Sequence, residues 1–225
     1  ADFYFFKDDP TYYHLINLML HLINTLLVFI IIRKLFNFTE IAVITALLFG
    51  IHPMHVESVA WITARKDVLF TMFFLLSLLA YINYLRKKNP GLYLLSLFLF
   101  LLSVLSKTQA VSLSVTIFAI DYLYSRRFTG RKIILKKLPF LAIAIFFGIV
   151  TIYAQKETGY SGQESSLPPF YDRIAYASYG FTAYIVKLIA PFNLSAYYPY
   201  PVNDAGNIPY YVYLSVIPVI SFSCL

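Results

Sequence analysis

Charge is scarce in this 225-residue chain. Asp, Glu, Lys and Arg make up 13% of it, against about a quarter in a soluble domain. That scarcity excludes a soluble globular fold and a disordered tail. Cysteine is rarer still. The only one is Cys224, which excludes an internal disulfide and any disulfide scaffold. A starting Met and a signal peptide are both missing from Ala1 to Pro10. The last apolar run ends at Leu225 without a polar tail, so the chain is expected to be an interior piece of a longer protein, or a truncated one. What it has in abundance is apolar: 60% hydrophobic and 19% aromatic residues, with a mean hydropathy of +0.70. The expected class is an all-α polytopic transmembrane helical bundle. The net charge of +7 then concerns membrane orientation and does not argue for nucleic acid.

A helical crossing needs about 20 mostly apolar residues. Candidate crossings are 12–32, 38–52, 67–85, 91–105, 109–124, 138–154 and 209–225. Eleven of the 18 Lys and Arg residues gather between them. They are Arg33 and Lys34, then Arg86, Lys87 and Lys88, then Arg126, Arg127, Arg131, Lys132, Lys136 and Lys137. Two crossings separate successive clusters, so one topology puts all three on the cytoplasmic side. The stretches 1–11, 53–66, 106–108 and 155–172 then face outward. The span 155–208 is rich in Pro, Gly and Tyr and reads as one large outer loop. Within it, 173–190 is expected to form an interfacial helix, with a true crossing there as the rival.

Candidate chemistry collects on the outward side. His14, Asn17, His21 and Asn24 are spaced 3, 4 and 3 and share a helix face. The plain role for Asn17, His21 and Asn24 is interhelical hydrogen bonding, because an unpaired polar group facing lipid costs several kcal/mol. His14, nearer the outer end, is the member expected to line a site. The densest group is His52-Pro53-Met54-His55-Val56-Glu57, followed by Arg65-Lys66-Asp67. Pro53 should end or kink the preceding helix, and Asp67 suits the positive start of the next. Glu57, His55 and His52 are the candidate catalytic residues. Arg65, Lys66 and Lys107 run against the positive-inside trend, which suggests an anionic partner such as a phosphate. His-x-x-His-x-Glu lacks the His-Glu-x-x-His order of a zinc helix, and Pro53 breaks the helical face such a motif needs. No tightly bound metal is expected, only at most a weakly held divalent cation. Tyr197, Tyr198 and Tyr200 suit either an interfacial anchor or a sugar-stacking wall, with Tyr198 the substrate-binding candidate.

The block HPMHVESVAWITARKDVL at His52–Leu69 resembles the bacterial relatives of the TMTC family. These are multi-spanning proteins with C-terminal tetratricopeptide repeats. Tyr13 to His21, Leu105 to Thr108, and Pro191 to Pro199 resemble further stretches of the family in the same order. The resemblance implies a GT-C glycosyltransferase fold and transfer of a mannose-like hexose from a polyprenyl-phosphate carrier at the outer or lumenal face. The implied partners are the lipid-linked sugar donor, a protein or glycan acceptor and the lipid bilayer. The family's acidic catalytic loop follows its first crossing, upstream of the Tyr13-His14 stretch, and Asp8 and Asp9 are not assigned that role. The expected location is a bacterial inner membrane rather than an endoplasmic reticulum. Two other classes compete: a transporter or flippase of a lipid-linked glycan, and a membrane scaffold for a soluble repeat domain.

Overall fold

A computed structural model describes residues 10–125, 131–157, 169–192, 194–195, 198–199, 201–202 and 208–223. The side chains of 125, 131–134, 156–157 and 221–223 are outside that description. So are Asp8, Asp9, Arg126, Arg127, Tyr197, Tyr200 and Cys224. The described residues are helical with connections and contain no strand, as expected for an all-α membrane bundle of GT-C-like kind. The chain forms two compact units, Ala1–Thr158 and Gly159–Leu225. The boundary falls near the start of the expected outer loop, 155–208.

In the first unit, α1 spans Pro10–Phe36. Its 27 residues reach about 40 Å at 1.5 Å per residue, more than the roughly 30 Å of a hydrocarbon core. Asn17, His21, Asn24, Leu27 and Ile31 form its buried stripe. Met19, Leu22, Ile23 and Leu26 are exposed on the other side, the surface lipid would cover. The helix stops at Asn37, whose φ of 60° is left-handed and whose N–H reaches Arg33 O at 2.9 Å.

Helix α2, Thr39–Ile51, ends where the sequence predicts. His52 is extended (φ −64°, ψ 127°) before Pro53, and the axis turns by 49° into the segment Pro53–Ala60. That segment is a 3-10 turn followed by α3, Val56–Ala60. A second 3-10 turn at Ile62–Ala64 leads into α4, Arg65–Lys87. Lys88, at φ 55°, caps α4 through its N–H on Tyr84 O. Asn89 then accepts from Gly91 N–H at 2.8 Å to start α5, Pro90–Ser106. Helices α4 and α5 form a tight hairpin. Ser77 and Ser96 exchange hydroxyl-to-carbonyl bonds of 2.7 and 2.9 Å, and Ser103 donates to Phe70 O. Small hydroxylated residues let two membrane helices approach this closely.

Lys107 ends α5. A 3-10 turn at Thr108–Ser112 precedes α6, Leu113–Ser125, and then α7 runs from Arg131 to Glu157 with Pro139 inside it. The core joins Ile31, Tyr81, Ile82, Phe100, Val104, Leu113, Ile117 and Phe140.

Among the described residues, three helices are long and apolar enough to cross a membrane: Pro10–Phe36, Ile62–Lys87 and Leu135–Gln155. Counting the bent pair Thr39–Ile51 with Pro53–Ala60 makes four. Three other expected crossings coincide with shorter helices. The 91–105 run forms an apolar helix of 17 residues. The 109–124 run begins with a 3-10 turn. Within the 209–225 run, Tyr210–Ile220 is an apolar helix with a turn at Ser215.

The basic clusters do meet at one end of the first unit. Lys34 Nζ donates to Asn83, Arg86 donates to Lys34 O and to Tyr124 Oη, and Lys136 lies over the Tyr84 ring. Lys137 departs from its cluster. It is buried at 1% exposure, paired with Asp121 at 3.1 Å and set 3.8 Å from the Phe118 ring centre. Tyr81 also donates to that Asp121 oxygen at 3.0 Å.

The second unit holds α8 (Phe170–Ile189), α9 (Tyr210–Leu214) and α10 (Val216–Ser223). Helix α8 covers the expected interfacial segment 173–190. Tyr213 Oη donates to Asp172 at 2.7 Å, and Tyr179 packs on Tyr211.

Candidate functional site

The polar stripe of α1 holds down the turn that carries the chemistry. Asn17 Nδ2 donates to Trp61 O at 3.2 Å, and Asn24 Nδ2 to Val68 O at 2.9 Å. His21 Nε2 lies 3.0 Å from Gly50 O. A carbonyl only accepts, so Nε2 carries the proton there. Gly50 makes the approach of α2 feasible. A Cβ at that position would come within 3.1 Å of Thr25 Cγ2. Interhelical hydrogen bonding, the plain role for Asn17, His21 and Asn24, is what these three do. His14 does not join them. It is exposed and lines neither of the cavities described below.

This docking creates a cavity of about 220 Å³ at the end opposite the basic clusters. His21, Asn24, Phe49, His55, Asp67, Phe70 and Lys107 are among its walls. Lys107 Nζ and Asp67 Oδ1 form an ion pair of 2.5 Å, with side-chain exposures of 26% and 21%. The same ammonium sits 5.7 Å from the Phe70 ring centre. His55 packs on Phe49 at 4.5 Å between ring centres and on His21 at 5.5 Å. A second cavity, of about 230 Å³, shares His21 and His55. Its other walls include Leu18, Ile51, His52, Val56 and Val59, and they are mainly apolar.

The three outward cations do not form one cluster. Lys107 is committed to Asp67. Arg65 turns toward α1, with Nε 3.4 Å from Asn17 Oδ1 and its guanidinium 5.4 Å from the Tyr13 ring centre. Lys66 is exposed. Arg65, Lys66 and Asp67 are consecutive at the start of α4. Successive helical side chains point about 100° apart, so only one of them can face the cavity, and that one is Asp67. Glu57 is exposed on α3 and lies outside the walls of both cavities. Its neighbours Ser58 and Val56 line one cavity each. His52 lines the apolar cavity and accepts from Met54 N–H at 3.2 Å. Tyr198 belongs to the second unit. Its hydroxyl accepts from Ser195 N–H at 2.6 Å, and Lys187 lies 4.4 Å from its ring centre. The Ser195 N–H, and after it Lys187, hold this phenol below its ordinary range against an opposing effect of burial.

Among the described residues, no three His, Cys, Asp or Glu side chains gather as a metal site. Sequence reasoning did not place Asn24, Phe49 or Phe70 at the site. The available signal was Asn24 as the innermost member of the polar stripe His14, Asn17, His21 and Asn24.

Residues 3–153 match the family described as dolichyl-phosphate-mannose-protein mannosyltransferase. The chain belongs to this family. Curated relatives agree with that membership. The chain is 35% identical to human protein O-mannosyl-transferase TMTC1 over 127 residues, 52% of this chain and 14% of that protein. It is 32% identical to human TMTC4 over 149 residues, 57% of this chain and 20% of that protein. It is 40% identical to Xenopus laevis tmtc2 over 84 residues, 37% of this chain and 10% of that protein. The matches thus span a fifth or less of these relatives' length. No solved structure matches the chain. Family membership and the long apolar helices together make this a membrane protein.

Proposed function

We propose that the chain forms the donor-binding part of a membrane glycosyltransferase. The enzyme would move mannose from a polyprenyl-phosphate carrier to a serine or threonine of a protein, on the side opposite the basic clusters. That side is periplasmic or lumenal, and the basic clusters are cytoplasmic by the positive-inside rule. The observation that carries this reading is the pair of cavities sharing His21 and His55. One carries an amide and an ion pair, Asn24 and Asp67–Lys107, beside aromatic rings, and the other has no charged or amide side chain among its walls. A lipid-linked sugar has the same division, with a hydroxyl-rich ring at one end and an isoprenoid chain at the other.

In a direct displacement, the acceptor oxygen bonds to the sugar's anomeric carbon as the carbon–oxygen bond to phosphate breaks. A base takes the acceptor's proton, and the carrier phosphate leaves with the bonding electrons. Charge grows on that phosphate, so donors and cations near it lower the barrier. His55 stands where the two cavities meet, His52 lines the apolar one beside it, and both can donate to the leaving phosphate. Arg65 and Lys66 supply positive charge on the same turn. Glu57, beside the cavity walls, would assist the acceptor.

The test is mannose transfer from polyprenyl-phosphate mannose by the full-length protein in lipid vesicles. The reading predicts transfer to a serine- or threonine-containing acceptor, and at least a tenfold loss in His55→Ala. Transfer that is absent in the wild type, or unchanged in His55→Ala, would sink it.

A further inference from the structure

The polar cavity has an unusual balance of donors and acceptors. Its cation, Lys107, already pairs with Asp67 at 2.5 Å. The contact uses Lys107 on Asp67 rather than on a ligand. Asn24 is 1% exposed. Its Nδ2 is used on Val68 O, while its Oδ1 has no hydrogen-bond partner among the described residues. Flipping the amide does not help, since Val68 O needs the nitrogen. A buried acceptor left alone is costly, and such groups in native proteins call for an explanation. The remaining polar capacity of Asn24 and Asp67 is therefore to accept. A phosphate also only accepts and carries negative charge, so Asn24 and Asp67 give it nothing, and the donors left to it in these walls are those of His55 and Ser58. A polyol, whose hydroxyls donate, fits it well.

Size and walls point the same way. About 220 Å³ is below the roughly 300–1,000 Å³ of pockets for drug-sized ligands. It suits one monosaccharide ring rather than a chain. Phe49 and Phe70 offer aromatic surface to the apolar face of such a ring.

We propose that this cavity is the sugar-reading subsite, in which Asn24 and Asp67 accept hydrogen bonds from the hydroxyls of a single neutral pyranose. Lys107 there acts by holding the Asp67 carboxylate in place, not by binding phosphate. The inference rests on the donor-binding reading above and assigns its polar cavity to the sugar. Asn24 and Asp67 are then specificity-determining residues. A site built to bond a hydroxyl discriminates strongly against ligands lacking it, because its buried groups are left unpaired.

The experiment compares two probes on the full-length protein: polyprenyl-phosphate mannose and the same polyprenyl phosphate without sugar. The readout is the ratio of their dissociation constants, which does not depend on how much of a variant is folded. Wild type should prefer the sugar-bearing carrier. Asn24→Ala should cut that preference at least tenfold and leave binding of the bare carrier within about twofold. Lys107→Met, at a partly exposed position, tests the same point without touching the Val68 bond. It should also reduce the preference and spare the bare carrier.

If Lys107→Met weakens the bare carrier as much as the sugar-bearing one, Lys107 holds phosphate and the inference fails. Parallel loss of both ligands in Asn24→Ala, or no change in the ratio, overturns it equally. A wild type that binds both carriers alike refutes the sugar subsite but not the carrier reading. A wild type that binds neither refutes the carrier reading itself.

Discussion

The two ends of the first unit each carry a lysine–aspartate pair, and the pairs are used differently. Toward the basic end, Lys137 and Asp121 are almost fully buried. Tyr81 and the Phe118 ring complete their surroundings. At the other end, Lys107 and Asp67 are about a quarter exposed and border a cavity. The buried pair joins α6 and α7 and, through Tyr81, α4. The open pair faces space that a ligand can enter. An ion pair surrounded by protein acts as a fastener, and one at a cavity wall is available for recognition.

The sharpest way to break this contrast is to remove one partner from each end. Lys137→Ala should destabilise the protein by about 3–5 kcal/mol, because it strands a buried carboxylate. Unfolding in detergent measures this, and pairing the change with Asp121→Leu should restore much of the loss. Asp67→Asn should cost under about 1 kcal/mol, as expected for a partly solvated pair, while sugar transfer falls at least tenfold. If both substitutions cost the same stability, the two pairs play one role and the contrast disappears.

Gly50→Val comes next in size. The added side chain meets Thr25 and must push α1 and α2 apart, at about 1–3 kcal/mol. The site end should loosen and the basic end should not, which hydrogen exchange at the two ends would show. Ser96→Ala removes one of two reciprocal bonds between α4 and α5 and should cost about 1 kcal/mol. The smallest effect is expected from Glu57→Gln. Glu57 is exposed and outside both cavities, so transfer should fall less than it does in Asp67→Asn. A larger fall would move the catalytic centre outward onto α3.

Much of this arrangement was legible beforehand. Long apolar runs announced the helices. Pro53 announced the break after α2, and the spacing of Asn17, His21 and Asn24 announced one buried face. The gathering of Arg33/Lys34, Arg86 and Lys136 at one end also followed from counting runs between clusters. Other features were hidden because they depend on rotation about a helix axis or on contact between distant segments. Arg65, Lys66 and Lys107 share a side of the membrane in the expected topology, yet only Lys107 borders the polar cavity. The pairing of Lys137 with Asp121 was invisible for a related reason, since its near neighbours Arg131, Lys132 and Lys136 look alike in sequence. The breaks at Thr108–Ser112 and Ser215 interrupt apolar runs that a window of hydropathy reads as continuous.

By itself, then, the sequence determined the medium and the levels. Its sparse charge and long apolar runs place the chain in a membrane. The placement of Lys and Arg sorts its connections into two ends, because burying charge in hydrocarbon is costly over any helical arrangement. Tertiary structure alone decided partners. Which carboxylate neutralises Lys107, which lysine is sealed beside Tyr81, and which amide is left with an open acceptor all depend on close contacts. Such contacts reach only a few ångströms, and residues 40 or more positions apart come within that range only when the helices pack.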